Sequence, residues 1–540
     1  MMGTEADVTA TPDADEAGRL AVLRARLAAP MPDDRPWGWL GPLLVTAFGA
    51  WLRFNRLRVP RALIFDETYY AKDAWSILHH GVEWNLVSNA NSLIQAGHTN
   101  IFQPCPGSGC AEYVVQPEVG KELIAVGEWL FGLNSFGWRF SSAVFGSLAI
   151  LLICRIARRM TRSTLLGCLA GLLMSLDGLE FVLSRTGILD IFLMFFVLAA
   201  FGCMVIDRDQ SRAKLAEGVA RREGGDAGPR LGLRKWQVVC GILLGLAVGT
   251  KWIAAWYIVG FGCLGIAWDI GARRTAGLPA FVRGALRDAL WLPLTFIVIP
   301  LVVYTATWTN WLVTSTGYYR NYGQTHGVTT PVISALYSLY EYHVQAIGFG
   351  LGLNKSHPYQ SQPWDWLLMT RPVAFFYESY SGPVAGPSHY CPAKGCTGAS
   401  WSQEVLAIGT PAIWWGSMLA LVFCLGWWLL HRDWRAGAVL LGVLAGWGPW
   451  FPLVTRTKFY YYALEFEPFL ILSLVLCLGL ILGPATASIR RRSIGAGVVG
   501  AYLLCVLIMF WYFYAILAGK VIPYQDWLSH MWYRIGRGWI

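Results

Sequence analysis

The sequence predicts an all-α polytopic membrane protein of about eleven transmembrane helices, with interfacial helices carried in two long outer loops. Three observations carry that prediction. Hydrophobic residues fill 55% of the 540 positions and charged residues only 14%, where a soluble domain has about 25% charged. The 28 Trp, 23 Tyr and 26 Phe match the aromatic enrichment of bilayer interfaces. The apolar residues gather in stretches near the ~20 residues needed to cross a bilayer. This composition excludes a soluble enzyme, a disordered chain and a disulfide-dense secreted module. The net charge of +10 is no nucleic-acid footprint, because the basic residues form short clusters between apolar stretches rather than one face.

Residues 1–36 are acidic and rich in Ala and Pro, and read as a disordered cytoplasmic tail with one short helix around Arg19–Leu27. Spans are expected at 37–57, 138–157, 164–182, 187–206, 236–250, 252–269, 288–308, 411–430, 436–453, 460–483 and 494–517. They divide the chain into the tail, a transmembrane domain 37–520 with outer loops 58–137 and 309–410, and an outer C-terminal tail 521–540. Segments 68–80 and 332–348, inside those loops, read as helices lying on the bilayer.

More than half of the 43 Lys and Arg fall in the tail and in alternate short loops, among them Arg155, Arg158, Arg159, Arg162 and Arg490, Arg491, Arg492. The positive-inside rule then puts the N-terminus in the cytoplasm and both long loops and the C-terminus outside the cell membrane. Arg53, Arg56, Arg58 and Arg61 cut against the rule at the end of the first span. Cysteine fits the same sidedness. Cys105 and Cys110, and Cys391 and Cys396, lie in the outer loops, where two local disulfides suit an oxidising compartment; four Cys allow three connectivities. A zinc site is the sharper alternative, but the flanking His it would want are missing.

Chemistry begins after span one, at Phe65-Asp66-Glu67-Thr68-Tyr69-Tyr70. Ionisable residues at the membrane are costly and are functional candidates, and one carboxylate here would act as general base on an acceptor hydroxyl. The plainer reading is a helix N-cap. Downstream, Lys121 follows a Pro-containing turn, and Arg139 stands where span two begins, a helix N-terminus suited to phosphate. The plainer reading of Arg139 is a side chain snorkelling to headgroups. Asp177, Glu180, Arg185 and Asp190 read as one buried ion network fixing spans three and four. Lys251 reads as pairing with lipid phosphate or snorkelling.

These motifs together resemble the protein O-mannosyltransferases, polytopic GT-C glycosyltransferases that use lipid-phosphate sugars. The resemblance rests on Asp66-Glu67, Gly120-Lys121, Trp138-Arg139-x-x-Ser142, Ser184-Arg185-x4-Asp190, Lys251-Trp252, His343 with Ser356-His357-Pro358-Tyr359 and Trp364-Asp365-Trp366, and Arg456-x-x-Phe459-x-Tyr461. It runs in order through 37–520. The chain departs from the family pattern at Gln116-Pro117-Glu118, where a His-Pro-Pro turn is usual, and at Tyr462, where a His is usual. The second loop is too short for the β-trefoil module of eukaryotic members, which points to a bacterial form of actinobacterial type.

The resemblance implies inverting transfer of mannose from polyprenyl-phosphate mannose to Ser or Thr of exported proteins. Asp66 would be the base and Glu67 its support. Arg139, Lys121 and Arg456 would hold the phosphate, while Tyr70, His343, His357, Trp364 and Trp366 would shape the substrate cavity. No cofactor or obligatory metal is expected, with Asp66, Glu67 and Glu118 the set a divalent ion would use. Membrane lipid and the Sec translocon are expected partners; nucleic acid is not. The alternatives are a related GT-C enzyme moving another lipid-linked sugar to lipid A or a wall glycan, and a lipid-linked sugar transporter.

Overall fold

The computed structural model describes residues 12–105, 110–380, 400–533 and 539. Helices lie over each of the eleven apolar stretches. Five are long and apolar enough to cross a bilayer: Gly137–Thr161, Asp190–Ala220, Trp252–Thr275, Pro411–His431 and Ile489–Leu517. A sixth comes from Phe281–Ala289 and Leu294–Thr307, bent by 41° at their junction. The other five stretches hold shorter helices: Trp37–Phe54, Thr164–Ser175, Lys235–Val248, Trp434–Trp447 and Glu467–Leu482. Helix Asp190–Ala220 is the hub, buried along most of its length, so its apolar residues surround it instead of forming one stripe.

One break shows how sequence shortens a helix. Leu176 and Asp177 interrupt the third stretch, and the Asp177 carboxylate accepts the N–H groups of Leu179 and Glu180 at 2.9 and 3.3 Å. Its other oxygen accepts from Thr410 N and Trp414 Nε1 at 3.2 and 2.9 Å. Asp177 is therefore an N-cap and a helix-to-helix tie. The expected four-residue ion network is not what forms. Glu180 pairs with Arg53, Arg185 binds backbone carbonyls, and Asp190 pairs with Lys251.

Both segments expected to lie on the bilayer are helical, as Glu67–His80 and Pro331–Gly352. The second buries Ser334, Ala335, Ser338, Leu339, Tyr342 and Ala346. It exposes Val332, Ile333, Leu336, Tyr340, Ile347 and Leu351, an outward apolar stripe that suits lipid rather than water. The helix expected around Arg19–Leu27 extends over Pro12–Leu27, with Leu27 buried against Leu215, Ala216, Leu231 and Ala272.

The all-helical expectation omits one small sheet. Strands β1 (Val373–Tyr380), β2 (Trp401–Ala407) and β3 (Val521–Pro523) pair antiparallel in the order β1-β2-β3. A bulge between Ala374 and Phe376 leaves Phe375 unpaired in the ladder. Bulges re-aim side chains, and Phe375 stacks on Phe65 with ring centroids 4.5 Å apart. The sheet thus reaches the residue preceding Asp66. Residues 521–523 leave the expected tail to complete it.

Candidate active site

The turn that presents Asp66 is held by two buried arginines. As helix Trp37–Phe54 ends, Arg185 donates to the carbonyls of Leu52, Arg53, Asn55 and Arg56 at 2.6–3.1 Å. Arg139 takes over further along the chain, donating to Leu57, Pro60 and Ala62 at 3.2, 2.7 and 3.1 Å. Its Nε and Nη2 grip both oxygens of Glu67 at 2.7 and 2.8 Å. The N–H groups of Ile64 and Gly187 add bonds to Glu67 at 3.0 and 2.8 Å. Gly187 is required by close approach, since a Cβ there would sit 2.9 Å from the Trp138 carbonyl.

This geometry corrects the expectation for Arg139 and narrows the part Glu67 can play. All five N–H donors of Arg139 are committed and the side chain is fully buried, so it has nothing to offer a phosphate. Glu67, also fully buried, is saturated with hydrogen bonds and cannot be a base. A bidentate pair of this kind, with every donor and acceptor used, orders the segment it ties together.

Asp66 escapes that cage. It occupies the N-cap position of helix Glu67–His80, yet its side chain makes no capping bond. Tyr461 Oη donates to Asp66 Oδ2 at 3.2 Å. Phe65, Phe375, Phe459 and Tyr461 form an aromatic collar around it, with centroids 4.5–6.1 Å from the Phe65 ring. Burial raises the Asp66 pKa to about 6, against the opposing pull of Lys251; Asp190 raises it further and the Tyr461 bond lowers it. A carboxyl with a pKa near neutrality suits proton transfer better than an ordinary surface carboxylate.

A cavity of about 260 Å³ has Lys251, Trp252, Trp450, Arg456, Tyr462 and Glu465 in its lining; Asp66 is not in that lining but lies within the field of Lys251. Lys251 Nζ is 2.7 Å from Asp190 and 5.2 Å from the Tyr462 ring centre. Arg456 Nε donates to the Gly350 carbonyl at 2.8 Å, and its guanidinium lies 5.3 Å from the Trp450 ring centre. The outer Nη groups of Arg456 make no hydrogen bond among the described residues, so the guanidinium retains donors for an anion. Sequence reasoning named Arg456 but assigned Lys251 to lipid contact. Its signal was the Lys-Trp pair between two apolar stretches, with Asp190 on a neighbouring helix.

The other expected site residues divide between the cavity's surroundings and the scaffold. Lys121 is fully buried between Glu83 and Glu118, 3.2 Å from the latter. Burial lowers its pKa, but Glu118, Glu83 and Asp73 outweigh that and raise it. Lys121 is a counter-ion in an acidic cluster, not a phosphate ligand. The proposed divalent-ion set is likewise not assembled, because Glu67 is engaged by Arg139 and Glu118 by Lys121. Tyr70 is buried and lies within the field of Asp66 and Asp190. His343 bonds Tyr304 through Nε2 and the Leu339 carbonyl through Nδ1, the latter at 2.6 Å. Trp252 Nε1 donates to the same Tyr304 hydroxyl at 2.9 Å, so His343 supports the cavity wall from behind. His357 packs edge-on to Phe459 of the collar at 5.0 Å. Trp366 is fully buried against Trp450, Tyr462 and Phe466, whereas Trp364 is exposed. Cys105 and Cys110 form a disulfide; Cys391 and Cys396 lie outside the described residues.

Known proteins resemble this chain along nearly its whole length. Residues 115–312 match the family profile "Dolichyl-phosphate-mannose-protein mannosyltransferase". Residues 335–535 match the "C-terminal four TMM region of protein-O-mannosyltransferase". The chain is 38% identical to a polyprenol-phosphate-mannose–protein mannosyltransferase of Mycolicibacterium smegmatis, over 96% of this chain and 98% of that one. It is 31% identical to the Corynebacterium glutamicum protein of the same name, over 96% and 98%. Its fold resembles a chain of the S. cerevisiae protein O-mannosyltransferase Pmt1-Pmt2 complex bound to the sugar donor, with a TM-score of 0.67, 14% identity and 97% and 94% coverage. The chain belongs to the protein O-mannosyltransferase family, a group of multi-pass membrane glycosyltransferases.

Proposed function

We propose that this protein transfers mannose from polyprenyl-phosphate mannose to Ser or Thr hydroxyls of exported proteins at the outer face of the cell membrane. The observation that carries the reading is a carboxylate, Asp66, left out of the hydrogen bonds that order its turn and lying within the field of Lys251, which lines the cavity together with Arg456. The acceptor oxygen attacks C1 of the sugar as Asp66 takes its proton, and the bond from C1 to the phosphate oxygen breaks on the opposite face. Inversion needs one base and no enzyme-linked sugar, unlike retaining chemistry with its close carboxylate pair. Lys251 and Arg456 balance the charge growing on the departing polyprenyl phosphate, where fixed cations act most strongly. The distribution of Lys and Arg and the Cys105–Cys110 disulfide support an outward-facing site.

The test is transfer of labelled mannose from polyprenyl-phosphate mannose to a Ser/Thr-rich peptide by the purified chain. Labelled peptide is the expected result. A chain that transfers a different lipid-linked sugar, or mannose to a glycan instead of a peptide, would overturn the reading.

Two further outcomes follow from the geometry. Only the ionised form of Asp66 accepts a proton, and its pKa is raised to about 6. Peptide mannosylation measured as kcat/KM should therefore hold steady above neutrality and fall as pH drops through about 6. A profile flat down to pH 4.5 would remove Asp66 as the titrating base. Arg456→Met removes a cation whose only hydrogen bond among the described residues is to Gly350, so the fold should survive. A lost charge-assisted bond to phosphate is worth about 1.5–3 kcal/mol, which predicts a rise in donor Kd of roughly 10- to 100-fold, read by titration with polyprenyl phosphate.

A further inference from the structure

Glu465 is a carboxylate that neither the fold nor the reaction described above employs. It ends the short helix Tyr460–Glu465, is 1% exposed, and its Oε2 has no hydrogen-bond partner among the described residues. Its backbone carbonyl, by contrast, is tied down by Tyr257 Oη at 2.9 Å, which fixes where the side chain starts. The side chain lines the 260 Å³ cavity with Lys251 and Arg456 and is the sole carboxylate among the described lining residues. It lies within the fields of both cations and of Asp190.

A buried carboxylate without a partner is costly, and the nearby cations do not relieve it by contact. Lys251 is bonded to Asp190 and Arg456 to the Gly350 carbonyl, and no ion pair within 4.0 Å is formed by Glu465 among the described residues. The missing partner is therefore a polar group that enters the cavity. A hydroxyl both donates and accepts, so it pairs with the carboxyl in either protonation state, whereas Lys251 and Arg456 are the groups that fit the phosphate. At about 30 Å³ per water, the cavity has room for roughly nine waters, enough for a monosaccharide-sized group next to an anion.

We infer that Glu465 accepts hydrogen bonds from hydroxyl groups of the donor's sugar, and so makes the cavity select a glycosylated lipid phosphate over a bare one. The inference deepens the donor reading of the same site and rests on it. It divides the cavity by chemistry: Lys251 and Arg456 recognise the anion, and Glu465 recognises the sugar. After transfer, the sugar-free lipid phosphate leaves Glu465 without its hydroxyl partner. Glu465 then also favours release of the product. A site built to bond a substrate hydroxyl rejects the analogue lacking it, because its own polar group is left unpaired.

The experiment compares binding of polyprenyl-phosphate mannose and of polyprenyl phosphate to the full chain and to Glu465→Gln. The variant should bind the mannosylated lipid about 10- to 100-fold more weakly, as expected for a lost hydrogen bond to a charged group. It should bind polyprenyl phosphate as well as the wild type or more tightly, which also shows that its cavity is intact. A series of deoxy-mannosyl donors sharpens the result. The wild type should discriminate against the analogue lacking the engaged hydroxyl, and Glu465→Gln should not. Equal weakening towards both lipids would make Glu465 a support of the cavity and overturn the inference, as would unchanged preference for the mannosylated lipid. A wild type that binds neither lipid would overturn the donor reading, and this inference with it.

Discussion

Asp66→Asn should reduce mannose transfer by about 10²- to 10⁴-fold, the range associated with loss of a general base, while leaving the protein folded. Both halves of that expectation come from the division of labour at the turn. Asp66 takes no part in the bonds that order residues 52–67; Arg185, Arg139 and Glu67 do that. The amide keeps an oxygen to accept from Tyr461 Oη, so the collar need not move. Removing a negative charge near Lys251 should leave binding of polyprenyl phosphate unchanged or stronger. Initial rates of peptide labelling, set beside the melting temperature and lipid affinity, separate these effects. Full transfer activity in the variant would assign the base elsewhere.

Arg139→Met should have the largest effect on stability. It leaves Glu67 fully buried with its counter-ion gone and frees the carbonyls of Leu57, Pro60 and Ala62. Removing one member of a buried ion pair costs about 3–5 kcal/mol, and the unpaired carbonyls add to it. Activity should vanish with the ordered turn. The double variant Arg139→Met, Glu67→Gln should regain part of the lost melting temperature, because no isolated charge remains. A phosphate ligand would behave otherwise: its loss would weaken donor binding in a protein of normal stability and give no rescue. That second pattern would restore Arg139 to the donor site.

Much of the fold was legible because membrane helices announce themselves by apolar length, and the placement of Asp66, Arg139 and Arg456 near span ends followed from span order. What the sequence hid was the number of hydrogen bonds each ionisable group makes at home. Arg139 and Arg456 look alike as letters beside an apolar stretch. One is saturated by carbonyls from a segment some 80 residues earlier, the other largely free, and only tertiary geometry tells them apart. Lys251 was discounted for the opposite reason, since its partner Asp190 is 61 positions away. The segment Ser184–Asp190 was visible as a motif, but not as a single brace. It supplies Arg185 to one carbonyl set, the Gly187 N–H to Glu67 and Asp190 to Lys251. The sheet escaped notice because two of its strands lie in a loop between apolar helices and its three-residue closing strand lies beyond the last of them.

That closing strand sets an order of manufacture. Phe375, pressed against Phe65 beside Asp66, belongs to β1. β1 pairs with β2, and β2 is completed by Val521–Pro523 and by Trp527, which donates to Glu404 at 2.6 Å. Asp66 is synthesised well before β3. While the chain is still being threaded into the membrane, the carboxylate has no finished wall beside it. The wall beside Phe65 is complete only when residues near 521–527 have been made, so a half-made copy lacks it.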